Sequence, residues 1–194
     1  MKRRGQLFVL SAPSGAGKST LIERTVHEVP NIWHSVSATT REPRNYEKEG
    51  VHYFFMDRQS FHETIQNGQF LEWAEVHGKY YGTPCEGVDR HLDAGEDVIM
   101  DLDIQGALQV KRRRPEAKLI FIMPPSLEIL RERLIARKSE SEEQILKRLS
   151  IAEEEMSSKG LYDHVIVNDV LENAFQQLVA IFKQTRESSG EASP

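Results

Sequence analysis

At 194 residues the chain is long enough to bury a sizeable core and short enough for one or two domains. Hydrophobic residues at 39% and charged residues at 28% describe an ordinary globular protein, and a net charge of −5 argues against broad nucleic-acid binding. No stretch approaches membrane-spanning length, and the single cysteine, Cys85, excludes an intramolecular disulfide and suits a reducing cytosol as a structural thiol.

The basic N-terminus, Met1 to Gly5, is followed by too short an apolar run for a signal peptide, so a cytoplasmic protein is expected. Leu7 to Leu10 is an unbroken apolar run, as a strand buried on both faces requires. The loop Ala12-Pro13-Ser14-Gly15-Ala16-Gly17 then leads into Lys18-Ser19-Thr20 and a helical stripe of Leu21, Ile22, Thr25, Val26 and Val29, ended by Pro30. This is a phosphate loop. Gly15 and Gly17 let backbone N–H groups approach phosphate oxygens, and the helix adds its positive end. Lys18 supplies a charge to the β- and γ-phosphates, and Ser19 a hydroxyl to magnesium. The pattern G-x-x-x-x-G-K-S/T holds except at its first position, where Ala12 stands.

From Ser35 to Pro84 the pattern is that of a small β-rich insert. Two short strands surround a charged loop, and Asp57 caps a helix that Gly68 stops. A strand follows at Phe70 to Val76, with Lys79-Tyr80-Tyr81 beyond a His77-Gly78 turn. A helix is predicted near Thr83 to Ala94, closed by Gly95, then a buried strand from Asp97 to Leu102 with Asp101 and Asp103 at its end. Another helix stops at Pro115, and Lys118 to Met123 is a third apolar strand. Ser126 caps a helix carrying Leu127, Leu130 and Leu134 that is predicted to run on as the charged stretch Arg131 to Arg148. A further helix reaches Lys159, Asp163 to Val167 is the last strand, and Val170 to about Arg186 the last helix, with a frayed tail from Ser188. The alternation predicts an α/β fold: a doubly wound, mostly parallel sheet flanked by helices, with ligands at the C-terminal strand edges.

Arg41 and Arg44 offer planar forks suited to a phosphate dianion, and Tyr53 and Tyr81 add hydroxyl donors, although surface arginines and core tyrosines also occur in such stretches for packing alone. Asp101 suits a strand-end acid that acts on magnesium, directly or through water; the alternative is a cap for the helix from Ile104. Lys111 to Arg114, at a helix C-terminus, is expected to be a solvated terminus rather than a nucleic-acid patch. Arg133 and Arg137, four apart, share a helix face. None of the seven histidines has metal-ligand spacing with cysteines or carboxylates.

Taken together, SAPSGAGKST, SVSATTREPR, GVHYFF, FLEWAEVHGKYYGT, VIMDLDIQGA, FIMPPS, the arginine series and VIVND resemble the guanylate kinases, P-loop nucleoside monophosphate kinases, over about Gln6 to Arg186. The resemblance implies transfer of the γ-phosphoryl group of Mg·ATP to GMP, and to dGMP, with ATP held by residues 12–20 and Asn168, and with no nucleic-acid or membrane partner. It implies that Arg41, Arg44, Tyr53 and Tyr81 hold the acceptor's phosphate, and that Ser37, Glu72, Thr83 and Asp103 hold guanine. Lys18, Arg41, Arg133, Arg137 and Arg148 are the implied catalytic cations, and Ser19 and Asp101 the magnesium ligands. The implied units are a core of residues 1–34, 85–132 and 160–194, an insert of 35–84 and a lid of 133–159. Lys138 replaces a frequent glycine, and Asn45-Tyr46 a frequent Pro-Gly.

A physical reason for Glu72 stands apart from the resemblance. Guanine presents N1–H and its amino group side by side, and an ionised carboxylate accepts both. Two alternatives stay open at this stage: a scaffold module that binds phosphopeptides at the same place, and a P-loop kinase for another small acceptor. Intact Lys18, Ser19, Asp101 and lid arginines argue against the first, and Ser37 with Glu72 against the second.

Overall fold

The computed structural model describes residues 3–136 and 141–190. In chain order the elements are β1 (Leu7–Ser11), α1 (Lys18–Glu28), β2 (Ile32–His34), β3 (Ala38–Thr39), β4 (Phe54–Phe55), α2 (Arg58–Gln66), β5 (Phe70–Val76) and β6 (Lys79–Pro84). There follow α3 (Cys85–Asp93), β7 (Asp97–Asp101), α4 (Ile104–Arg113), β8 (Lys118–Met123), α5 (Leu127–Ala136), α6 (Glu142–Ser157), β9 (His164–Val167) and α7 (Leu171–Gly190).

Five strands form one sheet in the order β2-β7-β1-β8-β9, and every pair in it is parallel. Because successive side chains alternate in direction, each apolar run feeds two cores. Val9, Val98, Met100, Leu119 and Phe121 meet Val88 and Leu92 of α3 and Ala107 and Val110 of α4 on one face. Phe8, Leu10, Ile99, Ile120 and Ile122 meet Leu21 and Ile22 of α1 and Phe175, Leu178 and Phe182 of α7 on the other. The fold is therefore α/β with helices on both faces of a parallel sheet.

A second sheet, in the order β4-β3-β6-β5, is built around an antiparallel β5–β6 hairpin. His77 and Gly78 take the turn with φ of 51° and 73°, the left-handed conformation that glycine adopts without penalty. Asp57 caps α2 by accepting from Ser60 N at 2.8 Å, and Phe61 stacks on Phe70 and Tyr80. A third cluster joins α5 to α6 through Leu130, Leu134, Ile145 and Ala152.

Several elements differ from the sequence expectation. Thr83 lies within β6 rather than opening a helix, because its backbone pairs with Glu72 across the hairpin and α3 begins only at Cys85. Ile32–His34 forms a fifth core strand, an edge strand too short for its periodicity to register. The predicted run to Arg148 is two helices: Ser141 starts α6 with a capping box, its hydroxyl accepting from Gln144 N while the Gln144 side chain accepts from Ser141 N. Val26, expected on the buried stripe, is 38% exposed, and α7 runs past Ser188 to Gly190. The basic run is tied down rather than merely solvated: Lys111 pairs with Asp163, Arg114 with Asp89, and Arg113 donates to Gly68 O. Cys85 is half-buried, and burial pushes its thiol pKa up, as an inert structural thiol requires.

Candidate active site

The loop between β1 and α1 lies at the C-terminal edge of the parallel sheet. Gly15 and Gly17 have φ of 95° and 93°, where any other residue is strained. A cleft of about 350 Å³ is lined by residues 12–15 and 17–20 and, from α6, by Glu155. Lys18 forms an ion pair with Asp101, the last residue of β7, and donates to Leu102 O at 3.2 Å. The strand-end acid and the loop lysine therefore sit together. It is Asp103, not Asp101, that caps α4, accepting from Gly106 N at 2.8 Å.

Behind the loop, buried Asn168 donates from Nδ2 to Ala16 O at 2.8 Å. Its backbone O accepts from Arg133 Nη2 at 2.8 Å. Arg148, on α6, donates to Ser14 Oγ at 3.2 Å. Arg133 and Arg148 thus reach the loop or its support, and Arg137, the third arginine of the series, lies outside the described residues.

The second sheet gathers the remaining predicted residues. Glu72 is 6% exposed. Its Oε1 accepts from Thr83 Oγ1 at 2.7 Å, and Thr83 Oγ1 lies 3.2 Å from Ser37 Oγ. Glu72 Oε2 and Asp103 Oδ1 border the same glycine: a Cβ added at Gly106 would be 3.4 Å from each. Burial pushes the Glu72 carboxyl up to about 7; Asp103 adds to the rise and the Thr83 hydrogen bond opposes it. The ordinary expectation for an acid in an alternating strand, a solvated face, does not hold.

At the other end of this sheet, Arg41 forms a bidentate pair with Glu47 at 2.9 and 2.8 Å, and its guanidinium lies 5.4 Å from the Tyr53 ring centroid. Tyr53 and Tyr81 meet edge to face at 6.1 Å. Glu47 also accepts from Arg44 N at 2.7 Å, and Arg44 donates to Tyr46 OH at 3.0 Å. The Arg41 hydrogen bonds hold Glu47 down to about 2. Sequence reasoning missed Glu47, whose only signal was an acid six residues after Arg41 in a charged loop.

The two halves face each other across one cleft of about 330 Å³, lined by His34, Ser35 and Asp101 from the core side and by Ser37, His52 and Tyr53. His34 is open to this cleft yet ringed by protein, so burial lowers its imidazole pKa. The Ser19 hydroxyl lines the loop cleft and the Asp101 carboxylate pairs with Lys18 beside it, and both are hard oxygen donors of the kind that fit magnesium.

A strand–glycine loop–lysine unit that opens onto an acceptor site in a facing sheet defines a P-loop kinase of small phosphorylated acceptors. Residues 4–185 match the profile of the family described as guanylate kinase. A guanylate kinase from Carboxydothermus hydrogenoformans is 50% identical over 178 residues, covering 92% of this chain and 87% of that one. A solved guanylate kinase from Anaplasma phagocytophilum superposes with a TM-score of 0.70 at 37% identity, covering 94% of this chain and 87% of that one. A shikimate kinase from Bacteroides thetaiotaomicron, 14% identical with a TM-score of 0.50, covers 92% of this chain and 98% of its own and shares the fold. The chain belongs to the guanylate kinase family.

Proposed function

We propose that this protein is an ATP:GMP phosphotransferase that moves the γ-phosphoryl group of Mg·ATP to GMP, and to dGMP, giving ADP and GDP or dGDP. The observation that carries this reading is Glu72: a buried carboxylate with one oxygen bonded to Thr83 and the other beside Gly106, joined through Thr83 to Ser37, which lines the cleft shared with Asp101. Guanine's paired donors satisfy that acceptor, whereas adenine would leave it unpaired.

In this reading Arg41, Arg44, Tyr53 and Tyr81 fix the acceptor's phosphate, and its anionic oxygen attacks the γ-phosphorus in line. The new P–O bond forms as the bond from the γ-phosphorus to the β,γ-bridging oxygen breaks, and the electron pair leaves on ADP. No protein base is needed, so positioning and charge neutralisation by Lys18 and the lid arginines supply most of the rate. Magnesium, held by Ser19 and Asp101 directly or through water, would screen the β- and γ-oxygens. Asn168 acts on the loop through Ala16 O. Residues 35–84 and 133–159 close over the substrates as insert and lid, which excludes water as a competing acceptor. The site of action is the cytoplasm, where Cys85 remains a free thiol.

The test is ADP formation from Mg·ATP with GMP, AMP, CMP and UMP in turn, for the wild type and Glu72→Gln. Turnover with GMP alone, lost in the variant chiefly through the acceptor's KM, is the expected result. Equal rates with all four acceptors overturn the guanine assignment. Tight phosphopeptide binding without turnover would make the site a scaffold module instead.

A further inference from the structure

Glu155 of α6 borders two cavities at once. One is the phosphate-loop cleft; the other, about 270 Å³, is bounded by Asp103, Ile104, Gln105, Glu154 and Ser158. Arg148 and Glu155 are seven residues apart, close to two turns of one helix, and buried Ala152 lies between them on the same face. Arg148 reaches Ser14 Oγ, which turns that face toward the loop.

A carboxylate in this position carries a cost. It is half-buried, Asp103 and Glu154 repel it, and burial raises its pKa while Lys18 opposes the rise. Among the described residues no side-chain donor reaches it, and the adjoining cleft is shaped to receive phosphates. Its oxygens face that cleft, where a bound molecule can supply the donor in place of water. Along the acceptor nucleotide, Asp103 stands at the base end and Lys18 at the transferring phosphate. The part between base and phosphate is the ribose, whose hydroxyls are neutral donors that a carboxylate takes in charge-assisted bonds.

We propose that Glu155 reads the ribose of the acceptor nucleotide, accepting a hydrogen bond from one of its hydroxyls while Arg148 holds the lid on the loop. The inference rests on the kinase reading above and adds a sugar contact to it. Glu155 is then a specificity residue, and it is the lid rather than the insert that senses the sugar.

The experiment measures kcat and KM for GMP, 2′-deoxy-GMP and 3′-deoxy-GMP with wild type, Glu155→Ala and Glu155→Gln. In Glu155→Ala the KM for GMP rises about tenfold or more, the size of one hydrogen bond to a charged group, and kcat changes much less. The deoxy acceptor that lacks the contacted hydroxyl shows no such rise. Glu155→Gln, which keeps one acceptor oxygen, falls between. If the alanine variant lowers kcat/KM equally for all three acceptors, or for none, Glu155 does not read the sugar. An inactive wild type with GMP would overturn the kinase reading itself, a result distinct from both.

Discussion

The Thr83 hydroxyl donates to Glu72 Oε1 at 2.7 Å. A hydroxyl has one proton to give, so at 3.2 Å it is Ser37 that donates to Thr83 Oγ1, and the three side chains form a directed chain ending on the carboxylate. Glu72 keeps free lone pairs for a ligand, and its remaining neighbour, Asp103, makes an uncompensated charge there costly. With the carboxyl pushed up to about 7, only part of the free protein holds Glu72 ionised at neutral pH.

That fraction sets a pH dependence. Guanine's two donors require the ionised form, so kcat/KM for GMP falls as pH drops below about 7, approaching tenfold per unit. The phosphate of GMP titrates near pH ~6 and bends the same profile. Glu72→Gln separates the two: it lowers kcat/KM throughout and removes the upper inflection while keeping the lower one. An unchanged profile in the variant would assign the whole effect to the substrate.

The same carboxyl makes a stability prediction of opposite sign to the usual paired acid. Its folded pKa lies above the unfolded value of 4.5, so the folded state holds the proton more tightly. Its contribution is fully present below about 4.5 and is lost as pH rises toward 7, a cost on the order of 3 kcal/mol. Glu72→Gln therefore raises the urea midpoint at pH 8, by a fraction of that amount, and the difference shrinks at pH 5. Equal midpoints at pH 8 would mean that Glu72 is ionised at no cost.

Glu47 makes the third prediction. It accepts from both terminal guanidinium nitrogens of Arg41 and from the Arg44 backbone N–H, so it sets the loop from which both arginines reach the acceptor's phosphate. Glu47→Ala should raise KM for GMP about tenfold while kcat falls less, since positioning is lost and the cations remain. Held at about 2, Glu47 does not titrate in the working range, so the loss is the same at pH 6 and pH 9. A KM that falls instead would show that Glu47 competes with the phosphate for Arg41.

The sequence made the phosphate loop and the central sheet legible because both leave local signatures. Glycines precede Lys18-Ser19, and β1, β7 and β8 each carry an apolar run, residues 7–10, 98–100 and 119–123, through the sheet. What escaped was set by pairing between distant segments. Ile32–His34 is a strand only because β7 offers its edge, and Thr83 leaves the helix because Glu72 lies opposite it. Burial of Glu72 arises from Thr83, Asp103 and Gly106, which lie between 11 and 34 residues away, so no window around β5 could distinguish it from a solvated acid. The break before α6 was readable in Ser141-x-x-Gln144, a capping box hidden inside a charged run that otherwise reads as one helix.

The last prediction concerns Gly17 and Asn168. A Cβ on Gly17 would lie 2.3 Å from Asn168 Nδ2, and the backbone there has φ of 93°. Two separate penalties thus oppose any side chain: overlap with a buried amide that holds Ala16 O, and a left-handed conformation costing about 1–2 kcal/mol. Gly17→Ala should lower kcat/KM for ATP by about 100-fold or more, because the displaced loop no longer aims its N–H groups at the phosphates. Asn168→Ala removes the overlap but also the bond to Ala16. The double variant therefore regains part of the lost thermal stability and little of the activity, since the left-handed strain persists. Thermal melts together with ATP titrations of both variants check this. Full recovery of turnover in the double variant would mean that overlap alone forbids a side chain at Gly17, and that the loop's conformation is open to other residues.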